Sequence, residues 1–538
     1  MGARFLMRSP TQRRKPGKSR PVNFPAPTGG WIANRSLAIG RDPNLAPGAM
    51  VLDNWFPTST GILLRRGSDL RYNIDSGPVR TMFRYVSGAA TRLFAASETE
   101  IFDVSSDPAV SVYSGLTSGD WHVQQITTAG GTFLIGVNGV DEPWVYDGTT
   151  FGPISDMGSG IEFPSGSTAS TSDLAFIWLY AGRLWFIQRD SMSAWYLPVD
   201  EVVGELEEMP LGGVFERGGV LLWGQSWSLS SGGSGGLSEQ CVFTTTEGEV
   251  LAYQGQNPAS ASDWNKAGLY RIGKPLGTRA FVRAGGDLLI ATSVGLISLA
   301  EASRRDLAAL GNAAVSYPIE EAWSAMLNER GMQNWRCFIW PEGKMVVVSP
   351  PRLASEDRVA FVANANTGAW CRFTGWDMAA METFNGQLHF GDIAGNLWIG
   401  NVSGVDGDAQ PYVGVCIPLY EDLGAPASRK IARNGRVVKR SRYPALEKLT
   451  AKFDFSTATP PPPNAAEFAS GGVWGAGIWG ESQWGESASE VVTGRWVSLG
   501  GSGQDVSVCL QVTSGDVTPL DVELIRLDAL FETAGLIS

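Results

Sequence analysis

From about Arg80 to Asn401 one arrangement recurs: a short apolar run, a turn rich in Gly, Asn or Asp, and a second run carrying Trp, Tyr or Phe. The segments RLFAASETEIFDV, TFLIGVNGVDEPWVYDG, RLWFIQRDSMSAWYL, CVFTTTEGEVLAYQG, DLLIATSVGLISLAEA, KMVVVSPPRLASEDRVAFVANANTGAWCRF and QLHFGDIAGNLWIGN carry it. They begin near residues 92, 132, 183, 241, 287, 344 and 387, a spacing of about 40 to 57 residues. Within them TEGE, NANTG and IAGN supply the Gly and Asn that tolerate positive φ between paired strands, so each reads as a hairpin. A unit of that length holds the four short strands of a propeller blade, and radial repetition leaves only short, protected strand edges. The pattern predicts an all-β fold with a six- or seven-bladed β-propeller over residues 80–412.

The one helical interruption falls at SYPIEEAWSAMLNER, Ser316 to Arg330. Pro318 suits its start, Glu320 and Glu321 its first turn, and Ile319, Trp323, Met326 and Leu327 form an apolar stripe. It reads as one short helix clamped over a blade edge. Residues 34–79 read as leading strands and an inter-subunit segment, because Trp55, Phe56 and Pro57 stand close to Arg65 and Arg66. The alternative is a leading strand that closes the propeller.

After about Val413 the pattern changes, and residues 413–538 read as a β-sandwich-like ring or channel domain. Arg429, Lys430, Arg433, Arg436, Lys439, Arg440 and Arg442 surround Asn434-Gly435, a local signal for a basic hairpin. Beyond EKLTAKFDFS and a stiff TPPPPN spacer, Trp474, Trp479 and Trp484 recur at a spacing of five, which fits neither strand nor helix period. They read as anchors on a Gly-rich loop, set in their own sandwich or in a subunit interface. The segments GRWVSLG, VSVCLQVTSG and VELIRLDALFE read as the closing strands.

Composition narrows the chemistry. The 538 residues hold 66 Gly and 20 Trp but only 18% charged residues, as in a turn-dense β protein. A formal charge of −12 excludes the whole surface as a nucleic-acid footprint, although residues 1–33 form a basic, Pro-rich, flexible arm suited to an acidic partner or to nucleic acid. No segment approaches the roughly 20 apolar residues of a membrane span, and the first residues lack the apolar core of a secretory signal, which points to synthesis in the cytoplasm. Cys241, Cys337, Cys371, Cys416 and Cys509 are too scattered for a disulfide framework or a zinc site. His122 and His389, the only two histidines, read as structural. GGSGG at Gly232 to Gly236 lacks the Lys-Ser/Thr of a phosphate loop, and neither DVSSD nor DGDA completes a calcium loop. No catalytic residue, cofactor or metal is indicated.

Together NRSLAIGRDPNLAPGAMVLDNWFPTSTGILLRRGSDL, the helix IEEAWSAML, the repeated VWG, IWG and QWG, and the closing VELIRLDALFETAGLIS resemble the tail nozzle, or tail hub, proteins of short-tailed bacteriophages. These are also called head-to-tail joining or DNA-stabilisation proteins. The resemblance covers most of the chain from about Asn34 and rests on order and pattern. It implies a structural virion protein without enzymatic activity. Such a protein forms a ring, usually a hexamer, below the portal and adaptor, meets tail fibres or a tail needle, and gates the passage of viral double-stranded DNA. In that setting Trp55 and Phe56 would wedge into a neighbouring element and Arg65 and Arg66 would pair across a seam. The basic segment would touch either DNA or an acidic neighbour, the neighbour being favoured because tight phosphate contacts slow ejection. Two rivals stand beside it: a receptor- or glycan-binding propeller using exposed tryptophans, and a glycan-degrading propeller with two carboxylates drawn from different blades. Against the second, no Asp-box of the form SxDxGxTW recurs.

Overall fold

The computed structural model describes residues 19–33, 46–88, 90–229, 238–353, 358–407, 410–441, 445–465, 490–515 and 519–536. The repeated pattern folds as a β-propeller of six separate blades, five sheets of four strands and one of three. Between the three-stranded blade and the last one, the strands Arg336–Trp340, Met345–Ser349, Val359–Asn364 and Trp370–Thr374 take a further place in the ring. They belong to a nine-stranded sheet that continues out of the propeller. Closure joins distant parts of the chain: Gly67–Asn73 pairs antiparallel with Asn396–Ser403 as the outer strand of the last blade.

The blades are held by aromatic wedges between sheets. Trp144, Trp178, Trp185 and Trp223 are completely buried. Two of them demand glycine opposite: a Cβ on Gly136 would lie 2.3 Å from the Trp144 ring, and one on Gly224 would lie 2.4 Å from Trp178. Each such tryptophan removes about 150–250 Å² from water, which is how strands of modest hydrophobicity form a stable ring. The turns follow the sequence reading, with Gly248, Gly368 and Gly395 all at positive φ.

The three-stranded blade, Phe281–Ala284, Asp287–Thr292 and Gly295–Ser298, lacks an outer strand. Its chain turns instead into helices Leu299–Ala302, Leu307–Ala313 and, after a tight turn at Tyr317–Ile319, Glu320–Arg330. The single expected helix is therefore the last of three. Ile319, Trp323 and Leu327 are buried, and the Trp323 indole donates to the Thr292 carbonyl at 3.1 Å, so the helix does clamp this blade.

The remaining strands build a sandwich. The nine-stranded sheet runs on through Gly30–Trp31, Gly48–Asp53, Val413–Pro418, Val506–Thr513 and Glu447–Phe453. An eight-stranded sheet brings Ser428–Ser441 and Glu523–Leu536 together with Ser19–Pro25, Trp55–Pro57 and Ile62–Leu64. Residues of both sheets share one core that includes Phe24, Leu52, Trp55, Val437, Leu449, Val508 and Leu527. Two expectations change here. Ser19–Pro25, assigned to a flexible arm, is a strand in register with Arg526–Glu532, and the sandwich takes strands from both ends of the chain rather than from residues 413–538 alone.

Candidate functional site

The stretch from Gly48 to Leu70 serves both bodies. Trp55–Pro57 and Ile62–Leu64 form a hairpin in the sandwich, and Gly67 begins the strand that closes the ring. Trp55, Phe56 and Arg65 are buried within this chain. The Arg65 guanidinium meets Asp406 at 2.5 and 2.8 Å, Asn54 Oδ1 at 2.8 Å and the Thr374 carbonyl at 2.7 Å. It also lies 3.9 Å from the Tyr412 ring centroid and 4.9 Å from that of Trp376. All these partners are intramolecular, which removes the reason for assigning Trp55, Phe56 and Arg65 to a subunit seam: they lock propeller to sandwich. Arg66 differs, since it forms a partly exposed pair with Asp521 at 2.8 Å and lines a cavity of about 560 Å³ where the two bodies meet.

The basic segment is not a hairpin. Ser428–Ser441 is one 14-residue strand, and Asn434 sits at a register shift within it rather than at a turn. Its charges are answered by the acidic strand beside it: Arg433 pairs with Glu532, Arg436 with Asp528 at 2.9 Å and Arg440 with Glu523 at 2.7 Å. Lys439 pairs with Glu447. Lys430 is buried and donates to the carbonyls of Ala425 and Gln504 at 2.7 and 2.6 Å, while Arg429 donates to Ser502 Oγ at 2.9 Å. The acidic neighbour anticipated for this segment is thus a strand of the same chain. Arg442, Trp474, Trp479 and Trp484 lie outside the described residues.

A different group of residues gathers on the propeller axis. The first strands of the blades, together with Arg336–Trp340, surround a bore that holds two cavities. The outer one, about 420 Å³, is the mouth where these strands begin and is lined by Arg80, Asp120, Arg336, Arg352 and Asp377 among others. The inner one, about 280 Å³, is lined by His122, Gln225, Arg279, Phe281, Arg336 and Glu382 among others. Between them Asp120 receives Arg279 at 3.0 Å and Arg336 at 3.5 Å. This ionic cluster crosses the bore.

The cluster sets the local acid–base behaviour. Crowding at the mouth pushes the Asp120 carboxyl up, but the guanidiniums of Arg279 and Arg336 outweigh that and hold it at about 2. Burial, reinforced by Arg279, pushes His122 down to about 3, so its imidazole stays neutral. Burial raises Glu382 to about 7, against weaker opposition from the Thr383 N–H and Arg84. Only His122 of this group stands out in the sequence. The signal for the others is positional: Arg80, Asp120 and Arg336 each stand at or just before the start of a strand on the bore, a recurrence visible only once blade register is known. Among the described residues no group of three or more His, Cys, Asp or Glu is placed to hold a metal, and the five cysteines are free thiols. No described helix is long and apolar enough to cross a membrane.

No protein-family model matches the chain, and no curated protein does. Among solved structures it is similar to the computationally designed Ika8 protein, with a TM-score of 0.33 and 7% identity over 65% of this chain and 96% of that one. It is also similar to YCF48 bound to D1 peptide, with a TM-score of 0.32 and 10% identity over 62% and 97% of the two chains. Likenesses this slight carry no functional argument, and the propeller is defined by the strand pairing described above.

Proposed function

We propose that this chain is a structural virion protein, a tail nozzle or hub subunit that assembles into a ring below the portal and adaptor and governs passage of the viral genome. One observation carries the reading: a single nine-stranded sheet runs unbroken from the propeller into the sandwich, and both ends of the chain are woven into the sandwich sheets. Continuous backbone hydrogen bonding across two bodies, locked by the buried Arg65–Asp406 pair, makes a stiff unit suited to bearing load. Self-neutralisation of the basic strand agrees with a conduit, since a wall without a strong phosphate-binding stripe lets DNA slide. The glycan-binding alternative draws less support, because the large propeller tryptophans are buried in blade packing rather than presented as sugar platforms.

Negative-stain electron microscopy of the purified chain, alone and with adaptor and portal, tests the proposal. Rings with a central pore that dock coaxially on the adaptor are the expected result. A monomer that ignores adaptor and portal but binds a glycan array would overturn it in favour of the receptor-binding reading.

A further inference from the structure

The mouth of the bore holds more positive charge than its carboxylates cancel. Arg80 pairs with Glu98 at 2.7 Å at the exposed rim, and Arg352 pairs with Asp377, which is buried. Arg279 and Arg336 share one carboxylate, that of Asp120. Four guanidiniums thus face three carboxylates, a local surplus of one positive charge in a chain whose formal charge is −12. Hydrogen bonding is incomplete too. The Nε atoms of Arg279 and Arg352 are buried and lack an acceptor. A buried guanidinium N–H left unpaired costs about 1–3 kcal/mol, so the site gains by taking up an acceptor.

We propose that this mouth binds one oxyanion, a carboxylate or a phosphate, between Arg80, Arg336 and Arg352. The planar guanidinium offers paired donors that match two oxygens of such a group. The cavity of about 420 Å³ admits it without repacking. Pro350 and Pro351 form one wall beside Arg352, so the guanidiniums meet their ligand against a partly apolar surface where water screens the attraction less. The depression of Arg336 to about 10, caused by burial and then by Arg279, is consistent with a positive potential that the three carboxylates leave uncompensated. Nothing in the site depends on ring assembly.

The test is isothermal titration of the full chain with inorganic phosphate and, separately, with acetate, at matched ionic strength. A Kd below about 1 mM for either anion is expected, which corresponds to roughly 4 kcal/mol of binding. Arg80→Gln alters a solvent-exposed pair and should fold normally while weakening binding ~10-fold, the effect of losing one charged hydrogen bond. Arg352→Gln combined with Asp377→Asn removes the second donor without stranding a buried carboxylate, and should weaken binding similarly. Preference for phosphate assigns the site to a phosphoryl ligand, and preference for acetate to an acidic side chain or chain terminus of a partner. Absence of heat with both anions, or equal affinity in wild type and both variants, would overturn the proposal.

Discussion

Replacing Arg65 by Met probes the joint between propeller and sandwich. The Arg65 side chain is completely inaccessible and its partner Asp406 is 13% exposed, so the substitution strands a nearly buried carboxylate whose remaining side-chain donor is the Trp376 indole at 2.9 Å. It also leaves Asn54 Oδ1 and the Thr374 carbonyl without this donor. Breaking one side of a buried pair costs about 3–5 kcal/mol. If all 538 residues unfold together, an entropy of about 2.1 cal/mol/K per residue converts this to a drop in Tm of roughly 3–4 °C. A larger drop would mean that the joint belongs to a smaller cooperative unit. Differential scanning calorimetry reads both the shift and the number of transitions. The companion variant Arg65→Met with Asp406→Leu removes both charges and should recover much of the loss, because a desolvated pair and an apolar pair of similar volume differ little in stability. A single-variant loss below about 1 kcal/mol, the value for an exposed pair, would refute the claim that this joint is dry and structural.

Gly395→Ala should cost about 2 kcal/mol or more, measured by thermal unfolding, since Gly395 has φ +80° and a Cβ there would meet the Asp75 carbonyl oxygen at 2.0 Å. Lys430→Met, which deprives two carbonyls of their donor, should lose about 1–3 kcal/mol in the same assay, whereas Arg440→Gln at an exposed guanidinium should lose less than about 1. Neither change should alter the salt dependence of DNA binding in a filter assay. The raised pKa of Glu382 gives stability that is fully present below its ordinary value of 4.5 and lost as pH rises through about 7. Glu382→Gln should therefore flatten the decline in Tm across neutral pH. Asp120 acts in the opposite sense: its contribution is present above 3.8 and disappears as pH falls through about 2.

The propeller was legible because each blade repeats a local signal. Gly131–Val137 with Trp144–Tyr146, or Gln387–Gly391 with Asn396–Ser403, can be read from alternation and turn residues within one window. The sandwich was not, because its pairings are long-range. Asn434-Gly435 has the chemistry of a turn, yet Glu523–Leu536 lies alongside and offers Asp528 and Glu532 to the basic residues, so extended pairing overrides the local preference. The same holds for Trp55, Phe56 and Arg65. Aromatic and basic residues near one another suit an interface as well as a core, and only the arrival of Thr374, Asp406 and Tyr412 from more than 300 residues away decides between them. The bore cluster escaped notice because its members come from separate blades and share no motif, only a position relative to their strands.

The closed bore constrains where DNA would pass in the proposed assembly. Asp120, held between Arg279 and Arg336, separates two cavities of about 420 and 280 Å³ on the propeller axis. A duplex whose major groove alone is about 12 Å wide cannot thread such an opening, and single-stranded passage would have to break the ionic cluster. The propeller is therefore not the conduit. A genome channel must lie between subunits, on the symmetry axis of the ring, where each chain repeats the same surface. The basic strand has its charge matched by Asp528, Glu532 and Glu523, so a sandwich face turned toward that axis would attract phosphate far less than its sequence suggests. Charge reversal at Asp528 and Glu532 would uncover Arg433 and Arg436, and under this arrangement should slow genome release without abolishing ring assembly.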